Sequence, residues 1–228
     1  MTFLVQQADA VDWLDGLASN TVDCIITDPA YESLEKHRAV GTTTRLTGAW
    51  FRIFPNDRFP EFFQQCWRVL RNDRHLYVMA DQETQRVITP MAEVAGFRWW
   101  KWIVWDKQSI GMGYHYRARH ELIGFFEKGK RRLNNLGMPD VLTHKRVSGG
   151  YPTEKPVGLC EDLICQSTQP GEWVVDPFCG SGAAGEAAIR QGRRFMGCDV
   201  SDAAVQIARE RLEGVEPLPE ASPERSGS

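Results

Sequence analysis

Two acids with defined neighbours stand out in this 228-residue chain: Asp28, in Thr27-Asp28-Pro29-Ala30-Tyr31, and Asp176, in Asp176-Pro177-Phe178-Cys179-Gly180-Ser181-Gly182. Each segment follows a strand-like run, Val22 to Ile26 for the first and Trp173 to Val175 for the second. An isolated Asp-Pro-x-Tyr describes an ordinary turn in which the acid bonds its own backbone. Two such segments after parallel strands describe something else, because loops at the carboxyl ends of an open α/β sheet converge on one crevice. The pair therefore predicts a bipartite site.

Gly180 and Gly182 let a backbone turn sharply and approach a ligand with no side chain in the way. A helix is expected over Ala183 to Gln191, with Gly192 as its stop. The next strand, Arg194 to Cys198, leads to Asp199, about the distance past the glycines at which dinucleotide folds place an acid on a ribose. A nucleoside ligand follows. It need not be a dinucleotide, and the chain lacks the Lys-Ser or Lys-Thr of a phosphate loop at this point.

With these segments in place, the chain resembles the DNA methyltransferases that use S-adenosylmethionine to methylate adenine N6 or cytosine N4. Asp28-Pro29-Ala30-Tyr31 resembles the catalytic Asp-Pro-Pro-Tyr of that family, and Asp176 to Gly182 its cofactor loop. Gly197-Cys198-Asp199 is similar to its ribose-binding acid, followed by a helix over Asp202 to Leu212 that ends in Ala208-Arg209-Glu210-Arg211-Leu212. Tyr151-Pro152-Thr153-Glu154-Lys155-Pro156 resembles the stretch before the cofactor strand, and His120 to Ile123 with Phe126 to Gly129 a central strand. The catalytic segment precedes the cofactor segment, the order of the family's β class. Ala30 departs from the pattern by replacing its second proline, which loosens the loop but leaves acid, first proline and aromatic in place.

The resemblance implies an α/β, Rossmann-like fold with a mostly parallel seven-stranded sheet and helices on both faces. It also implies S-adenosylmethionine as cofactor and double-stranded DNA as substrate. Asp28, Pro29 and Tyr31 are then the catalytic residues. Asp28, Thr153, Lys155, Asp176, Phe178, Gly180, Ser181, Gly182 and Asp199 bind the cofactor, with Thr153 and Lys155 near its methionine end. The chemistry accounts for these types. An exocyclic amine shares its lone pair with the base, and a carboxylate plus the Pro29 carbonyl can accept its two hydrogens and redirect that pair. The sulfonium is already an activated methyl donor, so no metal or covalent intermediate is required. Tyr31 offers a face to a base that must leave the duplex. Asp rather than Ser at position 28 resembles the adenine-directed form; cytosine N4 is the alternative. An RNA or protein methyltransferase usually carries the two motifs in the reverse order, and a non-catalytic DNA-binding module has no need of Asp28 and Tyr31.

The elements around these motifs read as one methyltransferase domain over 1–213. It comprises a catalytic part at 1–129, a short DNA-recognition segment at 130–150 and a cofactor-binding part at 151–213, with a flexible tail from 214 to 228. An amphipathic helix is expected over Phe59 to Leu70 and a strand over His75 to Ala80. A net charge of −3 is low for a DNA-binding protein, but the bases concentrate in loops. Lys36, Arg38 and Arg45 lie in a stretch whose composition suits DNA contact or a lid over the cofactor. Arg117 lies in His115-Tyr116-Arg117-Ala118-Arg119-His120, and Lys130, Arg131 and Arg132 open the recognition segment; all are candidates for phosphate contact. Trp99, Trp100, Trp102 and Trp105 fall in an alternating pattern that favours packing over base stacking.

The remaining composition excludes other classes. With 42% hydrophobic and 25% charged residues the chain is globular, and its apolar runs are too short to span a membrane. No secretion signal opens it, so a cytoplasmic protein is expected. Six cysteines without a Cys-x-x-Cys pair read as buried thiols, and five histidines show no metal-ligand spacing. The recognition segment is small for gripping DNA, which makes a homodimer a reasonable expectation. A solitary methyltransferase without a nuclease segment is the expectation.

Overall fold

The computed structural model describes residues 2–34, 52–111, 115–149, 151 and 153–218. Within them, eight strands form one sheet: β1 (Phe3–Gln7), β2 (Val22–Thr27), β3 (Leu70–Ala80), β4 (Arg98–Asp106), β5 (His120–Lys128), β6 (Val141–Thr143), β7 (Trp173–Asp176) and β8 (Arg194–Asp199). Their spatial order is β1-β8-β7-β2-β3-β5-β4-β6. Every strand runs the same way except β5, which is antiparallel to both β3 and β4. The sheet is mostly parallel, as expected, but has eight strands among the described residues rather than seven. The addition is β6, three residues from the 130–150 segment that pair with Val104 to Asp106 at the sheet's edge. Three residues are too short for periodicity to reveal.

Among the described residues six helices flank the sheet: α1 (Ala10–Asp15), α2 (Phe59–Val69), α3 (Gln82–Val94), α4 (Val157–Ser167), α5 (Ala183–Arg190) and α6 (Asp202–Glu213). In α2, Phe59, Phe62, Phe63, Cys66 and Val69 recur at helical spacing and are all buried. They join α1 and α3 in a cluster on one face of the sheet, against Ile25, Leu76, Val78 and Val175. Residues of α4, α5 and α6 cover the other face, against Cys24, Ile26, Tyr77, Met79 and Val174. The alternation within β2, β3 and β7 is that of strands buried on both sides. No described helix is long and apolar enough to cross a membrane.

Two expectations about termini and tryptophans gain detail. Residues 214–218 of the expected tail lie against the domain, with Val215 packed on the core and Leu218 N donating to Arg190 O at 2.7 Å. Trp105 is buried, its indole donating to His144 O at 2.8 Å, whereas Trp100 is exposed beneath the Arg98 guanidinium.

Candidate functional site

Because seven strands share a direction, their carboxyl ends lie along one edge of the sheet, where the chain places an acid after strand upon strand: Asp9, Asp28, Asp81, Asp106, Asp176 and Asp199. Between β2, β7 and β8 this edge opens into a cavity of about 300 Å³, within the range of small-molecule sites. The two motifs meet there. Ile25 is in register with Val175, and Thr27 Oγ1 donates to Asp176 Oδ1 at 2.8 Å.

The cofactor loop is shaped by its own backbone. Phe178 N also donates to Asp176 Oδ1, at 3.0 Å, and Gly180 N donates to Asp199 Oδ2 at 3.0 Å, so both acids brace the turn. Gly182 takes φ +83°, and a Cβ there would sit 3.1 Å from that of Ala208; only glycine suits this start to α5. Phe178 packs edge-on against Phe54 at 5.0 Å between ring centroids and also meets Phe62. Phe54 N donates to Ala30 O at 2.7 Å, which sets Phe54 beside the catalytic segment.

Burial shapes the electrostatics. It pushes the Asp176 carboxyl up to about 7, against hydrogen bonds from Phe178 and Thr27 and aided by the charges of Asp28 and Asp199. Burial also raises Asp199, opposed by the backbone N–H groups of Ser201 and Gly180. For Asp28 burial again dominates and raises it, with Lys155 pulling the other way. Lys155 Nζ donates to Asp28 Oδ2 and lies 3.7 Å from Glu121 Oε2. Burial works against the Lys155 ammonium, but Asp28 and Glu121 outweigh it and hold it above the ordinary lysine range. The Lys155 loop is itself anchored, since Glu154 pairs with Arg211 of α6 at 2.9 Å.

Asp28, Pro29, Tyr31, Thr153, Lys155, Asp176, Phe178, Gly180, Ser181 and Asp199 all line this single cavity. Gly182 does not line it and acts one residue behind, on the backbone. Arg117 belongs to the loop between β4 and β5 at the same edge, its Nε donating to Gly111 O at 2.7 Å. Lys36, Arg38 and Arg45 lie outside the described residues.

Lys130, Arg131 and Arg132 are not brought to the cavity. They follow β5, and its antiparallel course pairs Lys128 with Arg74 while Leu122 pairs with Ala80 at the cavity edge. Six residue steps at about 3.3 Å put them roughly 20 Å away, at the opposite edge. There Lys130 N donates to Asp73 Oδ1 at 2.7 Å, and Arg131 N donates to Glu127 Oε1. Charge in a sequence gives no indication of which sheet edge it will occupy.

Several lining residues are not singled out as site residues by the sequence: Asp9, Phe54, Arg58, Trp105, Lys107, Glu121 and Arg146. Asp9 carried a signal, as the acid after β1 that caps α1 by accepting from Val11 N at 3.0 Å. Arg58 grips it with both nitrogens, at 2.6 and 2.9 Å, and holds its carboxyl below the usual carboxylate range. Glu121 had none, because only the reversal of β5 turns its first residues toward the site.

An open parallel sheet whose carboxyl edge joins a glycine turn, a following acid and an Asp-Pro-x-Tyr loop in one cavity defines a nucleoside-binding α/β enzyme class. The chain belongs to the DNA methylase family, whose model matches residues 22–210. It is similar to YubD of Escherichia coli (strain K12), described as a methylase, at 32% identity over 218 residues, covering 92% of this chain and 90% of that protein. Its fold is that of a solved M1.HpyAVI–SAM complex, with a TM-score of 0.70 and 22% identity over 92% of this chain and 100% of the other. It is also that of the cytosine-N4-specific PvuII DNA methyltransferase, with a TM-score of 0.75 and 17% identity over 93% and 86% of the two chains. S-adenosylmethionine is the cofactor. The residues present fit it: two raised carboxyls, Asp176 and Asp199, have no bonded cation among the described residues and face a cavity into which a cationic nucleoside would bring compensating charge.

Proposed function

We propose that this chain methylates the N6 amine of a flipped adenine in double-stranded DNA at a specific site. The observation that carries the reading is the shared cavity of Asp28, Pro29 and Tyr31 with the glycine turn and Asp199. The cofactor supplies a methyl group already activated on a sulfonium, and the work left to the protein is binding, orientation and exclusion of water. Asp199, the Gly180 backbone and Ser181 would hold its nucleoside part, with Phe178 and its aromatic neighbours as an apolar wall. Asp28 and the Pro29 carbonyl accept the amine hydrogens, which draws the lone pair out of the ring's conjugation. Tyr31, largely buried against the same cavity, supplies the flat face for the base. Asp28 is also the nearest carboxylate to receive the amine's surplus proton.

Cytosine N4 is the second reading, favoured by the resemblance in fold to a cytosine-N4 enzyme, while Asp at position 28 favours adenine. Duplex DNA would approach the carboxyl edge, where Arg117 is the candidate phosphate contact. The small 130–150 segment supports action as a homodimer; a sedimentation mass of one chain with DNA bound would refute that. Mass spectrometry of nucleosides from unmethylated bacterial DNA, incubated with the protein and S-adenosylmethionine, tests the main reading. N6-methyladenine is expected, N4-methylcytosine would transfer the assignment to the second reading, and no modified base would overturn both.

A further inference from the structure

The catalytic carboxylate raises a physical difficulty that its own motif does not solve. A carboxylate accepts an amine hydrogen only while ionised and correctly turned, yet Asp28 sits where burial disfavours its charge. Its side chain is 26% exposed, and among the described residues the one cation bonded to it is Lys155, itself 12% exposed. Lys155 in turn stands between two acids, Asp28 from the end of β2 and Glu121 from the start of β5. Glu121 Oε1 is held by Lys107 Nζ at 3.2 Å, and Arg146 also acts on it. The result is a chain of alternating charges, Lys107, Glu121, Lys155 and Asp28, along the cavity wall. Tyr31, Asp176 and Cys160 also face Asp28, and Cys160, from α4, faces Lys155 as well.

Resting on the methyltransferase reading, we propose that Lys155, steered by Glu121, is the positioning residue that keeps Asp28 ionised and turned toward the target amine. The geometry gives each member a part. Lys155 takes Oδ2 of Asp28, which leaves Oδ1 as the acceptor for the amine. Glu121 gives the flexible lysine stem a second anchor, and the Glu154–Arg211 pair fixes the loop from which it extends. Lys155 thereby serves Asp28 directly.

The test is an infrared titration of the carboxyl band that Asp28→Asn removes, made on the protein without cofactor or DNA, beside the pH profile of methyl transfer. Lys155→Met, close in shape but uncharged, is expected to raise the Asp28 midpoint by more than about one pH unit and to carry the acid limb of the kcat profile with it. Lys155→Arg keeps the charge and is expected to restore the midpoint to within about half a unit. Glu121→Gln removes a repelling neighbour, so the midpoint stays at or below that of the unaltered protein while kcat falls about fivefold as Lys155 loses its anchor. An unchanged midpoint in Lys155→Met, an Arg variant as impaired as the Met variant, or full kcat in Glu121→Gln would overturn the assignment. A protein that methylates no DNA would refute the proposed function, and the titration would still decide whether Lys155 governs Asp28.

Discussion

Buried carboxylates at the two edges of the sheet, Asp23 at one and Asp176 and Asp199 at the other, are compensated in opposite ways. At the amino edge, Asp23 is fully buried and accepts from Arg71 Nη1 at 2.7 Å, Arg74 Nε at 3.2 Å and Trp173 N at 2.9 Å. Arg74 reaches on to Glu172 at 2.8 Å. Lys128, also buried there, donates to the carbonyls of Trp67 and Leu70 at 2.6 Å each, closing the end of α2. At the carboxyl edge Asp176 and Asp199 are braced only by neutral donors, with no bonded cation among the described residues, and both are pushed toward protonation. Asp23 is thereby matched by guanidinium cations and stabilises the fold, while Lys128 is held by neutral acceptors and its ammonium is pushed below the ordinary lysine range by burial. At the carboxyl edge Asp9 and Asp28 have cation partners, but Asp176 and Asp199 stay short of compensation, which leaves electrostatic interaction available to a cationic ligand.

The largest effect that would break this comparison belongs to the amino edge. Asp23→Ala takes from Arg74, 17% exposed, one of its two carboxylates and leaves the Trp173 N–H without its acceptor, and is expected to cost about 3 kcal/mol of stability in denaturant unfolding. Methyl transfer per folded molecule should remain unchanged. A transfer defect as large as the stability defect would erase the division of labour. Next, Asp199→Asn should weaken S-adenosylmethionine binding roughly tenfold in calorimetry, the value of one charge-assisted hydrogen bond, with little loss of stability.

Asp176 sharpens the comparison through pH. Its folded value, about 7, exceeds the ordinary carboxylate value of 3.8, so the folded state binds more protons than the unfolded one between those limits. Its contribution to stability of the ligand-free protein therefore declines as pH rises from about 4 to about 7. Asp176→Asn should flatten the melting temperature across that window, and cofactor affinity in the unaltered protein should increase through it as the carboxylate ionises. The smallest effect concerns DNA. Arg117→Ala is expected to weaken binding about threefold and reduce the salt slope by about one phosphate, whereas Lys130→Ala with Arg132→Ala should change neither.

The carboxyl edge was largely legible in sequence because its parts are local. Asp28 to Tyr31 and Asp176 to Gly182 each announce themselves by a β-branched run broken by proline or glycine, and Asp199 by its place after the next strand. The helices over 59–69, 183–190 and 202–213 follow periodicity and breakers in the same way. What stayed hidden depends on strand direction. Nothing in His120 to Lys128 states that it runs against its neighbours, yet that reversal brings Glu121 to Lys155 and sends Lys130 to Arg132 away. Arg58 on Asp9 was equally hidden, since 49 residues of chain separate two ordinary surface types.

Asp28→Asn beside the unaltered protein, measured for methyl transfer to DNA per folded molecule and for melting temperature in the same preparations, tests the central claim most directly. The account predicts a loss of roughly 10²- to 10³-fold in transfer, the worth of one preorganised polar partner in a transition state, with melting essentially unchanged. Transfer surviving within a few fold would contradict it and remove Asp28 from the reaction.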